Sequence, residues 1–163
     1  MTSLFNGDAL DFLDLMAYDL DLIVLDFDLT ITKRHTGGHQ PKSQLTKDAI
    51  LQNVYNVDHF RQFVKKAADL EIDLAIASFA SQHWKDVGGQ TLILRYMDVV
   101  LGKDRKVFTG SGDIQAWFPS NRNDKNLHLQ FLSQRFGVLP RRMLLIDDDR
   151  ELNTPKPLPG ARS

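Results

Sequence analysis

Short runs of apolar residues alternate along this chain with longer amphipathic stretches, and each run is closed at once by polar side chains. Asp21-Leu22-Ile23-Val24-Leu25-Asp26 holds consecutive apolar residues ending in an acid. Such a run predicts a central strand buried on both faces, as in a parallel sheet. Residues 74–77 predict a second short strand that ends at Ser78, and 143–146 a last one that ends in Asp147, Asp148 and Asp149. The run at 99–101 predicts a further strand.

Between the strands the period changes to that of helices. Residues 8–18 predict an acidic amphipathic helix, with Leu10, Leu13 and Ala17 or Phe12, Leu15 and Met16 available to pack. Residues 46–70 predict helix interrupted near 53–56, with Phe60, Phe63, Val64 and Ala67 on one face. Residues 90–97 predict another, and 124–136 a further one with an acidic start, Leu127, Phe131 and Leu132 on a face, and Gly137 as its stop. The polar stretch 32–42, with its Gly pair and Pro, predicts a loop or hairpin over the end of the first strand; 103–123 reads as an irregular surface excursion. Strands alternating with helices predict an α/β protein, a three-layer, doubly wound (Rossmann-like) parallel sheet in a single domain over 1–163.

Composition narrows the function classes. A length of 163 residues suits one domain with a real core, and 42% apolar with 25% charged residues is ordinary for a globular protein. Net charge is −1 with no basic stripe, so no nucleic-acid surface is expected. The chain has no cysteine, which excludes disulfides, thiolate metal sites and a cysteine nucleophile. No apolar run reaches the length of a membrane span, and the start lacks the pattern of a secretory signal. A cytosolic or nuclear location is the expectation.

In an open parallel sheet, ligands sit beyond the carboxyl ends of the strands. The predicted strands end in Asp26 with Asp28, in Ser78, and in Asp147 with Asp148, so these groups should converge on one rim. A carboxylate there can attack phosphorus and divide one hard displacement into two easier ones. Attack by an anion on an anion needs a cation, and magnesium takes oxygen ligands while keeping several waters. Asp26 and Asp147 are the expected ligands, with the backbone carbonyl of Asp28 and with Asp148 assisting. Asp28, two residues along, can protonate the leaving oxygen and later activate water, help worth about 100- to 10,000-fold. Ser78 and Lys125 fit as the hydroxyl and ammonium that hold the transferring phosphoryl oxygens.

These residues resemble the motifs of the haloacid dehalogenase (HAD) superfamily. LIVLDFDLT is similar to its first motif, an apolar strand followed by Asp-x-Asp-x-Thr; LAIAS, ending at Ser78, to its second; Lys125 in NDKNLHLQFL to its third; and MLLIDDD, with Asp147 and Asp148, to its fourth. The resemblance covers residues 22–153 in the right order. It implies a magnesium-dependent phosphatase working through an aspartyl-phosphate on Asp26, with the roles of Asp28, Ser78, Lys125, Asp147 and Asp148 as above. His128, one helical turn after Lys125, and Asn153 make the stretch 125–153 similar to small magnesium-dependent phosphatases of the superfamily. No segment is long enough for a large cap domain. A minimal cap implies an open site for bulky substrates such as phosphoproteins, or closure by homo-oligomerisation. The family fold continues past the fourth motif with a further helix and strand. Here a Pro-rich stretch, TPKPLPGARS, follows instead, so an open sheet edge is expected.

Each residue also has a plainer reading. Asp26 and Asp28 can be turn acids, Ser78 an ordinary strand-end serine, and Asp147 to Asp149 the start of a helix, where acids are favoured. Lys125 has Lys103 and Lys106 as rivals. His35 and His39 flank Gly37-Gly38 in a stretch that suits either a substrate-contacting flap or a solvated loop. His128 fits a packed histidine, and Trp117 with Phe118 a partner patch or a buried anchor. Three rival functions stand beside the phosphatase: a HAD-fold binding or regulatory domain without turnover, a phospho-receiver domain, and a sugar-nucleotide transferase. A receiver domain requires a different chain order, and nothing here resembles a nucleotide pocket.

Overall fold

The computed structural model describes residues 7–119 and 124–148; Asp149, Asn153 and the stretch 154–163 lie outside the described residues. In chain order the elements are α1 (Gly7–Met16), β1 (Leu22–Leu25), β2 (His39–Gln40), α2 (Lys47–Gln52), α3 (Val57–Asp69), β3 (Asp73–Ser78), β4 (Val87–Gly88), α4 (Gly89–Leu101), β5 (Ile114–Ala116), α5 (Asn126–Phe136) and β6 (Met143–Ile146). Four of the strands form an all-parallel sheet in the order β5-β3-β1-β6, with helices on both faces. The arrangement is α/β and compatible with a Rossmann-like fold.

Strand side chains alternate between faces, and the core divides accordingly. Ile23, Leu25, Leu74, Ile76 and Leu144 face α1, α3 and α4, where Leu13, Phe60, Phe63, Leu92 and Met97 cover them. Leu22, Val24, Ala75, Ala77 and Met143 face the other way, onto Leu129 and Leu132 of α5. Because β1 lies in the middle, all of its residues are buried, which is why an uninterrupted apolar run is found there. Ala75 and Ala77 present only methyl groups to α5, so that helix lies close against the sheet.

The topology creates the site. From β1 the chain steps to β3 and then β5 through helices on one face; it then returns through α5 on the other face to pair β6 on the opposite flank of β1. This reversal leaves a crevice beyond the carboxyl ends of β1, β3 and β6. The loops that leave β1 and β3 at this end meet in a two-stranded antiparallel ribbon, β2 with β4, in which His39 pairs Gly88. Gly38 makes that meeting possible. Its φ is +85°, and a Cβ there would lie 3.0 Å from the Cβ of Ala80.

Three expectations from the sequence are corrected. Residues 99–101 are no strand but the last turn of α4, whose buried Leu92, Ile93, Tyr96, Met97 and Val100 recur at helical spacing. The stretch 103–123 is not wholly irregular, since Ile114–Ala116 forms the edge strand β5. The polar stretch 32–42 contains β2 and is neither a simple loop nor a hairpin of its own. The interruption near 53–56 falls between α2 and α3, with Asn56 in the left-handed region at φ 41°. No helix among the described residues is long and apolar enough to cross a membrane.

Candidate active site

The β1–β6 ladder brings two acids side by side. Leu25 pairs Ile146, and Asp26 N–H donates to Ile146 O at 2.9 Å, so Asp26 and Asp147 each emerge from paired strands at the same level. Lys125, the residue before α5, reaches between them: its Nζ lies 2.8 Å from Asp26 Oδ1 and 2.5 Å from Asp147 Oδ2. It does so at the amino end of a helix, where the dipole disfavours a cation, so the carboxylates and not the helix hold it there. The ring of Phe79, next to Ser78, lies 5.2 Å from the same Nζ. Asp148 completes the cluster, with carboxylate oxygens of Asp26, Asp147 and Asp148 all within 4.8 Å of one another.

Charge is unbalanced in this cluster. Ionised, it holds, among the described residues, three carboxylates against one buried ammonium. Burial pushes the Asp26 carboxyl well above the usual range; Lys125 pulls it back and Asp147 pushes it up again. Burial likewise raises Asp148. For Lys125, burial alone works downward, but the carboxylates of Asp26 and Asp147 outweigh it and the net shift is upward. The lysine is therefore charged, while burial and mutual repulsion work against ionisation of Asp26 and Asp148. A hard divalent cation fits this donor set, which is made of carboxylate oxygens alone and carries the charge that would balance it.

Asp28 stands apart from the cluster and is held by the loop after β1. Its Oδ1 accepts Thr36 N–H at 3.1 Å and Thr36 Oγ–H at 2.7 Å. Between the two, Phe27 O accepts the N–H groups of Ile31 and Thr32, and Leu29 takes φ 61°, a conformation that costs a non-glycine residue on the order of 1 kcal/mol. Ser78 ends β3 two residues past Ile76, the partner of Leu25, so it lies on the same rim and is 4% exposed. Its carbonyl accepts Trp117 N–H at 3.2 Å, which fixes the end of the strand.

Other candidates fall elsewhere. Lys106 borders a cleft of about 620 Å³ that also takes in Ile72 and Asp73, at the amino end of β3. It lies at the amino ends of the strands, opposite the acids. Lys103 is exposed beyond the end of α4. A polar cleft of about 460 Å³ lined by Arg34, His35, Gln40 and Asn53 adjoins Asp28, whose Oδ2 lies 3.5 Å from His35 Nδ1. His39, His83 and Asp86 bring donor atoms within 4.8 Å of one another on the ribbon. Yet the two rings stack at 4.0 Å with planes 13° apart, and lone pairs in near-parallel planes do not meet at one ion. His83 Nδ1 accepts the N–H groups of Lys85 and Asp86, and His39 Nδ1 lies 2.7 Å from Asp86 Oδ2. This cluster pins the ribbon.

His128 is packed. It is fully buried, its Nε2–H donates to Trp117 O at 2.9 Å, and its ring sits 4.3 Å from that of Trp117 and 5.5 Å from that of Phe79. Trp117 is thereby an anchor, while Phe118 remains 45% exposed. Burial lowers the His128 pKa from 6.5 to about 4. The unfolded chain therefore binds a proton that the folded chain refuses. Stability from this residue is complete above pH 6.5 and is lost as pH falls toward 4, by on the order of 3 kcal/mol in all. Urea denaturation at pH 7, 5 and 4 should show His128→Leu losing stability less steeply than the parent. Equal slopes would mean that His128 accepts its proton without penalty.

Nothing in the sequence marks Thr36, because a threonine in a polar loop is ordinary and only the return of the loop brings it to Asp28. The chain matches no family model, no curated protein and no solved structure with which it was compared.

Proposed function

We propose that this chain is a HAD-type phosphohydrolase that depends on a divalent cation and cleaves phosphate monoesters through an aspartyl-phosphate on Asp26. One observation carries the reading: three carboxylates and one buried lysine, drawn from separate stretches of chain, meet beyond the carboxyl ends of a parallel sheet. Magnesium, the ion the family resemblance implies, would be held by Asp26, Asp147 and Asp148 with the carbonyl of Asp28. Bound there, it supplies Lewis-acid charge that offsets the repulsion between carboxylate and phosphoryl oxygens.

The chain's own groups then have separable tasks. Asp26 attacks phosphorus; the ester P–O bond breaks as the Asp26–P bond forms, and Asp28 gives its proton to the leaving oxygen. Asp28, now ionised, takes a proton from water, which attacks the phosphoryl group and frees Asp26. Lys125 and Ser78 hold phosphoryl oxygens, where charge gathers in the transition state. The described segments between β1 and β3, and between β3 and α5, form loops, the ribbon, an edge strand and helices packed on the sheet, with no separate cap unit. A rim of that kind suits a bulky substrate such as a phosphoprotein, or closure by a second copy; a small phosphometabolite is the other substrate class.

The test is hydrolysis of p-nitrophenyl phosphate with magnesium and with EDTA, followed by trapping of labelled phosphoenzyme in acid. Expected are turnover with the ion, none without it, and label on Asp26. Magnesium binding without turnover of any ester in a phosphomonoester panel would favour a regulatory domain of the same fold.

A further inference from the structure

We infer that Thr36 is a positioning residue for Asp28, fixing which of its carboxylate oxygens faces the leaving group; the inference rests on the phosphohydrolase reading. Both donors of Thr36, N–H and Oγ–H, bind the same oxygen, Oδ1, at 3.1 and 2.7 Å. The carboxylate cannot turn about its last torsion without losing both. With Oδ1 so occupied, Oδ2 is the oxygen that carries the transferable proton. His35 Nδ1 lies 3.5 Å from Oδ2, but that nitrogen accepts Gly37 N–H at 2.9 Å, so it has no proton to give and its lone pair is engaged.

Thr36 is anchored in its turn. Its Oγ accepts Gly38 N–H at 3.1 Å, Gly38 lies against Ala80, and Gly38 O accepts Gly89 N–H at 3.0 Å. The aim of the acid is thus set by the ribbon that joins the loops leaving β1 and β3. In the step itself the proton leaves Asp28 Oδ2 for the ester oxygen as the P–O bond breaks and the Asp26–P bond forms. Asp28 becomes a carboxylate that both Thr36 donors still stabilise. Misaiming this acid should matter most where the leaving oxygen is strongly basic, since an aryloxide departs with little help from a proton.

The experiment compares kcat/KM for an alkyl phosphate and for p-nitrophenyl phosphate in the parent, Thr36→Val and Thr36→Ser, with magnesium present. This ratio covers steps only through the first phosphoryl transfer, so later breakdown of the intermediate does not mask the effect. Thr36→Val should lose about 100-fold on the alkyl ester but only about threefold on the aryl ester, and Thr36→Ser should recover most of the alkyl rate. Equal losses on both esters, or no recovery with serine, would overturn the positioning role. A parent inert toward both esters, with magnesium bound, removes the phosphohydrolase reading and this inference with it.

Discussion

Asp26→Asn should abolish phosphoester turnover while leaving the folded state at least as stable as before. The amide is nearly isosteric but cannot attack phosphorus, so a loss of at least about 10³-fold is expected. Stability should move the other way, because Asp26 belongs to a cluster with more carboxylates than buried ammonium groups among the described residues, and burial already drives its carboxyl toward the neutral form. An uncharged side chain relieves that excess, and Lys125 keeps Asp147 as its partner. Urea denaturation in EDTA should place the variant level with the parent or above it, by up to about 1 kcal/mol. The variant should also gain less from added magnesium, since it has lost a ligand. Turnover surviving in Asp26→Asn would end the proposed mechanism.

Lys125→Met should lose activity and stability together. Methionine matches the length of the stem but leaves Asp26 and Asp147 buried without their ammonium, 2.8 and 2.5 Å from where it stood. Removing one side of a buried pair costs about 3–5 kcal/mol, because the remaining carboxylates lose the ammonium that offset their burial. Turnover should fall by about 10²- to 10³-fold through the loss of one contact to the developing charge. Magnesium at 100 times its Kd should return about 2.7 kcal/mol of the lost stability. The pair of variants is diagnostic because both lose turnover while their unfolding midpoints in EDTA move apart. A Lys125→Met midpoint equal to the parent's would show that the lysine does not balance these acids.

Much of this arrangement is legible in the amino-acid order, for a physical reason. β1 is buried on both faces, so its apolar run is uninterrupted, and its end is marked by Asp26 because the crevice begins there. β6 and β3 carry the same mark in Asp147 and Ser78. What is not legible is short or relational. β5 has three residues with only Ile114 buried, too few to display a period. Val99, Val100 and Leu101 have strand-like side chains, yet they continue the face begun by Leu92 and Ile93, and the longer pattern prevails. The bonds from Thr36 to Asp28 depend on the path of a loop that is itself fixed by a ribbon partner almost fifty residues away, His39 against Gly88. Nothing local to Thr36 encodes that.

The two alanines that β3 turns toward α5 have a consequence at a distance. They act as a spacer: the helix that follows Lys125 packs on the sheet across a layer of alanine methyl groups there. How deeply the ammonium reaches among the carboxylates is therefore gauged partly by Ala75 and Ala77, side chains on the far side of the strand from the ribbon, and the tolerance for enlarging them is a tolerance in the reach of the lysine.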